Sequence, residues 1–385
     1  MPVVGMVGGG QLARMTAAAA VGLGATFRVL AGAATESAAL VARDVVIGSH
    51  LSLPDLSRFA EECDVITFDH EHVPADHLRA LESAGTLVRP GAGALRFTQD
   101  KLAMRERLRS LGAPVPRFAP VATVADVADF AGGTWPVVLK AVSGGYDGKG
   151  VWVTGSPEAA REVVASAAGH QVALMAEELV PFRRELAAQV ARSASRQGAA
   201  YPVVQTVQVE GICREVIAPA PGLPADLAIE AQELALRIAA ELDVIGLLAV
   251  ELFETPRGLL VNELAMRPHN SGHWTIDGAL TSQFEQHLRA VLDLPLGAPA
   301  ATVPGGFTVM ANLLGGTDPD VYDRYLHVMA ADPGVKVHFY GKEVRPGRKI
   351  GHVTVVGAPG DPVESLRSRA RRAASYLRWG TEDGD

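Results

Sequence analysis

LLAVELFETPRGLLVNELAMRPHNSGHW, residues 247–274, decides how the rest of the chain is read. Two apolar runs, 247–253 and 259–264, flank the turn-forming Thr255, Pro256, Arg257 and Gly258, which predicts a β-hairpin. With the strands paired about Arg257, Glu251 and Glu263 stand opposite each other on one face, roughly 5 Å apart at Cβ. Like charges so placed repel, so a cation is expected between them. Two hard carboxylates converging on one point suit Mg²⁺ bridging to phosphate oxygens. The alternative is an exposed hairpin whose two glutamates are simply solvated. The residues after the second strand weigh against it: Arg267, His269, Asn270, Ser271, His273 and Trp274 form a dense polar run, poor as core and suited to binding an anion.

Upstream, a strand over 135–142 carries Lys140 near its end and runs into Ser143-Gly144-Gly145-Tyr146-Asp147-Gly148-Lys149-Gly150. Four glycines in eight residues, bracketed by Lys140 and Lys149, suit a loop that folds over a triphosphate; a flexible hairpin turn is the plainer reading. The order G-x-x-x-x-G-K-[ST] is absent, so this is not a Walker A loop. A strand over 172–176 then leads into Glu177, Glu178, Leu179 and Val180, with Glu185 beyond. An extended linker there would offer backbone groups to a nucleotide base, and a nearby carboxylate would bond ribose hydroxyls. Segments 186–192 and 202–210 read as an antiparallel pair, and 225–242 as an amphipathic helix with Leu227, Leu234, Leu236, Ile238 and Leu242 in the core.

At the N-terminus a short apolar strand, 2–7, meets Gly8-x-Gly10-x-x-Ala13 and an alanine-rich helix. The spacing fits the dinucleotide fingerprint, in which backbone N–H groups approach phosphate at a helix start. The second strand, 26–30, lacks the acidic residue that would hold an NAD ribose, since Ala31, Gly32 and Ala33 follow it. Strand 65–68 ends at Asp69, His70, Glu71 and His72. Ligands gather at the carboxyl ends of such strands, which makes Glu71 a candidate contact, against a solvated loop acid. A metal site on His70 and His72 lacks further ligands. Residues 101–111 are helical, and Pro114 and Pro116 mark a break.

Downstream, 281–292 reads as a helix and the alanine- and proline-rich stretch to Pro304 as a linker. Short strands come next at 308–313, 335–340 and 352–356. Lys342, Arg345, Arg348 and Lys349 cluster just after one of them in an otherwise acidic chain, the mark of a second phosphate site rather than a solvated face. The tail from Thr381 is expected to be disordered.

The totals agree with a multidomain globular protein. At 385 residues the chain outgrows a single core, so two or three domains are expected. Its composition, 48% hydrophobic and 20% charged, is ordinary for a soluble protein, and a net charge of −8 argues against general nucleic-acid binding. Cys63 and Cys213 lie apart without a metal-ligand pattern, as reduced core residues do. No signal peptide and no run of roughly 18 apolar residues is seen, so the expected location is the cytoplasm, with no membrane partner.

Taken together these stretches resemble the ATP-grasp superfamily, and within it the N5-carboxyaminoimidazole ribonucleotide synthetase family of purine biosynthesis. The resemblance spans nearly the whole chain: GGGQLARM from Gly8, TFDHEHV from Thr67, QDKLAMR from Gln99, GGYDGKG from Gly144, the Glu177–Glu178 hinge, NELAMRPHNSGHW from Asn262 and YGKEVRPGRKIGH from Tyr340. Its specific part is the string RPHNSGHW. It implies a mixed α/β and α+β protein with an N-terminal Rossmann-like parallel-sheet domain (1–100), a central two-part ATP-grasp domain (101–298) and a small C-terminal domain (299–385), acting as a homodimer.

In that family Lys101 and Lys140 would contact the ATP phosphates and the loop of Gly145, Tyr146, Asp147, Gly148, Lys149 and Gly150 would cover them. Glu177, Glu178, Leu179 and Val180 would meet adenine, and Glu185 the ribose. Gln208 stands where many relatives carry a histidine near ATP. Glu251 and Glu263, with Asn262 beside them, would carry Mg²⁺. Gly10, Gln11, Leu12, Glu71, Tyr146, Asp147, Lys149 and Asn270 would hold aminoimidazole ribonucleotide, and Lys342, Arg345, Arg348 and Lys349 its phosphate or the bicarbonate. Arg267, His269 and Lys342 would act in catalysis. Relatives often differ at Asp69 and His70. The competing readings are a formate-dependent glycinamide ribonucleotide transformylase, an NAD-dependent oxidoreductase and a catalytically silent nucleotide-binding protein.

Overall fold

VVGMV and VITF show no polar alternation, and such strands are stable only with both faces covered. They become β1 (Val3–Val7) and β4 (Val65–Phe68), which flank each other in a parallel sheet completed by β2 (Thr26–Ala31) and β3 (Asp44–Ile47), in the order β3-β2-β1-β4. The computed structural model describes residues 1–145 and 149–381. Helix Gln11–Leu23 covers one face, and helix Gln283–Val291, far along the chain, joins the same core: Leu288 and Val291 pack with Val4, Met6 and Val29. A buried bond between His287 Nε2 and Thr67 Oγ1, 2.7 Å, ties that helix to β4.

The second sheet is small and antiparallel. It contains β5 (Phe118–Val121), β6 (Val137–Ala141), β7 (Val151–Thr154) and β8 (Leu174–Glu178), in the order β5-β8-β6-β7. Its last strand differs from the sequence expectation. The apolar run predicts a strand at 172–176 that ends ahead of the acidic pair, whereas Glu177 lies inside β8, opposite Phe118 and Val138. A glutamate is tolerated there because Arg105 and Lys140 bond its carboxylate, partners that periodicity does not show.

The third sheet holds β9 (Arg184–Arg192), β10 (Gly198–Ala200), β11 (Val204–Val209), β12 (Ile212–Ala218), β13 (Gly246–Thr255), β14 (Gly258–Ala265), β15 (Thr308–Leu314), β16 (Lys336–Phe339) and β17 (Lys349–Val356). Its order is β14-β13-β9-β11-β12-β15-β17-β16, with β10 on β9. One sheet therefore runs from the hairpin to the C-terminal strands through the β12–β15 pair. The linker-like stretch before Pro304 is tied down: Ala279 bridges Ala301, and Leu280 N–H donates to Ala300 O at 2.9 Å. Helix Ala225–Glu241 packs on the sheet through Leu234 and Ile238, with Leu242 buried just beyond it and Leu227 and Leu236 only partly covered. Helix Val363–Trp379 covers the C-terminal strands.

The hairpin forms as expected, but its register has a different cause. Thr255 pairs with Gly258, so the turn is centred between Pro256 and Arg257, and a regular ladder would set Glu251 opposite Asn262. A β-bulge intervenes. Leu252 faces Val261 while Glu251 faces Glu263, leaving Asn262 as the extra residue. Among the described residues no helix is long and apolar enough to cross a membrane.

The core also contains neutral imidazoles. His287 accepts from Leu247 N–H through Nδ1 at 3.2 Å, and His352 Nδ1 meets the Tyr340 hydroxyl at 2.8 Å. Burial holds the pKa of His287 down to about 3 and that of His352 well below the ordinary range. Each is neutral in both states at high pH; below about pH 6.5 the unfolded chain binds a proton that the folded one refuses. Stability should then fall by about 1.4 kcal/mol per pH unit for each group. Denaturation curves between neutral and mildly acidic pH should show this, with a shallower slope in His287→Gln; an identical slope in the variant would refute the assignment.

Candidate active site

A cleft of about 1180 Å³ opens where the three sheets converge. On one wall β13 and β14 present Glu251 and Glu263. Lys101, first residue of helix Lys101–Ser110, forms an ion pair with Glu263, and His269 Nε2 lies 3.5 Å from Glu251 Oε1. Burial, then the neighbouring Glu263 and Glu185, lift the Glu251 carboxyl above the usual range, outweighing Lys101 and Lys349. Its side chain is still 31% exposed to the cleft, so an incoming ion can reach it. A partly buried carboxylate facing a second one is eased by a cation placed between them.

On the opposite wall Lys140 Nζ lies 2.5 Å from Glu177 Oε2 and 3.3 Å from Asn262 Oδ1. Burial lowers the Lys140 pKa although Glu177 pulls the other way; at Glu177 burial is outweighed by Arg105 and Lys140, and the carboxyl stays ionised. Arg105, fully buried, bonds the other oxygen of Glu177 and donates to Asn262 O at 2.7 Å. The Glu177 side chain is therefore committed within the protein, and its backbone is paired in the sheet between β5 and β6. Beyond it Glu178 accepts from Arg117 N–H at 3.1 Å, and Leu179 and Val180 line the cleft. Phe182 stacks on Phe253 with ring centres 4.7 Å apart, an apolar shelf beside them. Glu185 is bonded by Gln208, and burial raises its pKa despite that bond.

Of the glycine loop, Gly145 lines the cleft. A side chain there would meet Lys149 O at 2.7 Å, so only glycine lets the two ends of the loop approach. Lys149 and Gly150 lie beside it but are not in the cavity wall, and Tyr146, Asp147 and Gly148 lie outside the described residues.

The polar run after β14 is held by a web of bonds. Glu71 accepts from Met266 N–H at 2.6 Å and Arg267 Nε at 3.2 Å, placing Arg267 on the cleft. Gln283 accepts from His269 N–H and donates to His269 O, both at 2.9 Å. His269 Nδ1 accepts from Ser271 N–H, so the remaining ring hydrogen is assigned to Nε2, facing Glu251; burial keeps this imidazole neutral, its pKa about 3. Asn270 and Asn312 exchange amide bonds at 2.9 and 2.7 Å.

Other expected residues are placed apart. Gln11, Leu12 and Lys349 line the cleft, but Gly10, Lys342, Arg345 and Arg348 do not. Arg345 pairs with Glu343 and Arg348 donates to Glu343 O at 3.2 Å, both on the surface, while Lys342 sits 6.0 Å from the centre of the Tyr340 ring. The Gly10 N–H is engaged by a neighbour. Asp69 Oδ2 accepts from Gly10 N–H at 2.5 Å and Oδ1 from Ala13 N–H at 3.1 Å, so a protein carboxylate occupies the helix start where a dinucleotide phosphate would sit. Sequence reasoning misses Arg105, Phe182, Gln283 and Asn312. Arg105 closes the motif QDKLAMR, but nothing in a lone sequence joins it to Glu177.

A small antiparallel sheet facing a large one across a cleft, with two lysines above paired carboxylates, defines an ATP-grasp ligase. Family models agree: residues 1–99 match a ribonucleotide synthetase preATP-grasp domain, 106–284 an ATP-grasp domain, and 308–365 a phosphoribosylaminoimidazole carboxylase C-terminal domain. The chain is 55% identical over 384 residues to the N5-carboxyaminoimidazole ribonucleotide synthase of Mycobacterium tuberculosis, covering 98% of this chain and 88% of that one. The crystal structure of the Thermus thermophilus synthetase superposes with a TM-score of 0.86 at 38% identity, covering 98% of each chain. That of the Aspergillus clavatus enzyme, in complex with ADP and 5-aminoimidazole ribonucleotide, gives 0.87 at 31%, again with 98% of each chain covered. The chain belongs to the N5-carboxyaminoimidazole ribonucleotide synthase family.

The Asp69 contact yields a test. In Gly10→Ala the new Cβ would lie 2.2 Å from Asp69 Oδ2, and such overpacking should destabilise the protein by about 1–3 kcal/mol in chemical denaturation. Titration with NAD⁺ should give no saturable signal. A neutral Gly10→Ala variant, or saturable NAD⁺ binding, would contradict the capped helix start.

Proposed function

We propose that this chain joins bicarbonate to 5-aminoimidazole ribonucleotide, using ATP, to give N5-carboxyaminoimidazole ribonucleotide for purine synthesis, and that it works in the cytoplasm as a homodimer. Residues 1–100, 101–298 and 299–385 are taken as its three functional units. The opposition of Glu251 and Glu263 beside Lys101 and Lys140 carries the reading. Family membership supports it, since the Aspergillus clavatus relative is solved with ADP and the same ribonucleotide.

The donor set fits Mg²⁺. Two hard carboxylates face each other and the Asn262 amide oxygen is adjacent. Phosphate oxygens and water would complete such a shell. When bound, Mg²⁺ supplies positive charge between the phosphates and the carboxylates as the γ-phosphoryl group transfers. Lys101 and Lys140 draw the triphosphate in, Leu179 and Val180 offer backbone to adenine beside the Phe182–Phe253 shelf, and Glu185, steadied by Gln208, takes the ribose.

Bicarbonate is an anion attacking an anion. Arg267, fixed by Glu71, and the neutral His269 lower that barrier by holding the bicarbonate oxygens at the carboxylate end of the cleft. A bicarbonate oxygen bonds to the γ-phosphorus and ADP leaves, giving carboxyphosphate. The exocyclic amine then attacks the carboxyl carbon, the bond to phosphate breaks, and one amine proton is lost. Carboxyphosphate hydrolyses readily in water, which gives the glycine loop its purpose as a cover. Gln11, Leu12, Glu71 and Asn270 are assigned to the ribonucleotide, and Lys349, at the cleft wall, to its phosphate ahead of Lys342, Arg345 and Arg348.

ATP-dependent phosphate release tests this directly. It should need both bicarbonate and 5-aminoimidazole ribonucleotide for full rate, and Glu251→Gln or Glu263→Gln should each slow it about 10²-fold or more with the fold intact. Turnover with formate and glycinamide ribonucleotide instead, or near wild-type rates in either variant, would overturn the proposal.

A further inference from the structure

A buried triad sits behind the lysine that faces the cleft. Glu177 is almost fully enclosed, and its two carboxylate oxygens are divided between Arg105 Nε and Lys140 Nζ. Arg105, 1% exposed, does not line the cavity and cannot touch a ligand there. Its Nη2 donates to Asn262 O at 2.7 Å, and Lys140 Nζ approaches the side chain of the same asparagine at 3.3 Å. Asn262 is the bulge residue that brings Glu263 opposite Glu251. Nη1 of Arg105 is buried with no hydrogen-bond partner among the described residues, a cost that hydrogen bonding alone does not justify.

Charge gives the reason. Lys140 beside Glu177 alone would be a neutral pair, offering a phosphate little net attraction. With Arg105 behind the carboxylate the triad carries one net positive charge, and of the two members that line the cavity the Lys140 side chain, 13% exposed against 3% for Glu177, is the more open to it. The same guanidinium holds the bulge by its backbone, so the lysine and the carboxylate pair share one anchor.

We propose, on the footing that the cleft takes ATP, that Arg105 is a positioning residue for the triphosphate: it neutralises Glu177 so that the charge of Lys140 remains available to the phosphates. Arg105→Met should leave a balanced Lys140–Glu177 pair and raise the KM for ATP about tenfold, with a smaller change in kcat. The double variant R105M/E177Q restores one net positive charge and should recover most of that loss. A structural role predicts the opposite, because removing a second buried partner repairs no packing.

The experiment measures ATP binding by calorimetry and KM in wild type, R105M, R105K and R105M/E177Q, with folding followed by circular dichroism. R105K, which retains the charge, should stay within a few fold of wild type. An unchanged KM in R105M, or a double variant no better than R105M, overturns the inference. Should R105M not fold, E177Q alone decides: it keeps both cations and must bind ATP at least as tightly as wild type, and weaker binding overturns the inference. Absence of ATP binding by wild type would instead refute the ATP reading itself.

Discussion

Glu251 and Glu263 face each other because one residue, Asn262, is added to the hairpin between them. Two carboxylates on paired strand positions repel, and each is disfavoured further as water is withdrawn from the cleft. The protein answers with cations at fixed positions: Lys101 on Glu263, Lys349 across the cleft, and Lys140 reaching the bulge residue. These do not fully compensate: burial first, then Glu263 and Glu185, still lift the Glu251 carboxyl above its usual range. The bulge is held at its carbonyl by Arg105 and at its side chain by Lys140, so the metal carboxylates and the phosphate lysine keep a fixed relation.

The rest of the architecture serves that cleft. The N-terminal sheet has the strand–glycine–helix form of a dinucleotide site, but Asp69 fills the helix start and turns the unit into a scaffold. From it Glu71 reaches across to fix Met266 and Arg267. Helix Gln283–Val291 makes the reverse connection, packing on the N-terminal core while Gln283 pins the backbone of His269. The C-terminal strands extend the large sheet and bring Tyr340 and Lys349 to the cleft wall.

Local patterns reveal much of this and geometry hides the rest. Apolar runs locate β1, β4 and the hairpin, and the opposed glutamates are legible because a two-stranded ladder has few registers. The reason for the register is not legible: a bulge follows from Arg105 and Lys140, which lie more than a hundred positions away. Sequence pattern puts Glu177 outside its strand because a charge normally ends an apolar run, and only its buried partners make it an exception. The basic cluster near the C-terminus reads as one site. The fold divides it, sending Lys349 to the cleft and leaving Arg345 and Arg348 on Glu343, a division set by the turn between β16 and β17 that side-chain charge does not encode.

The carboxylate pair is poised for a cation, and because the Glu251 carboxyl is lifted above its usual range, cation binding near neutral pH should release part of a proton from it. Calorimetric titration of Mg²⁺ into the ADP-loaded protein, repeated near neutral pH in buffers of unlike ionisation enthalpy, counts that proton directly. A fraction of a proton should be released per ion bound, and the release should be lost in Glu251→Gln along with most of the affinity. Binding with no proton release, or with the same release in Glu251→Gln, would contradict it.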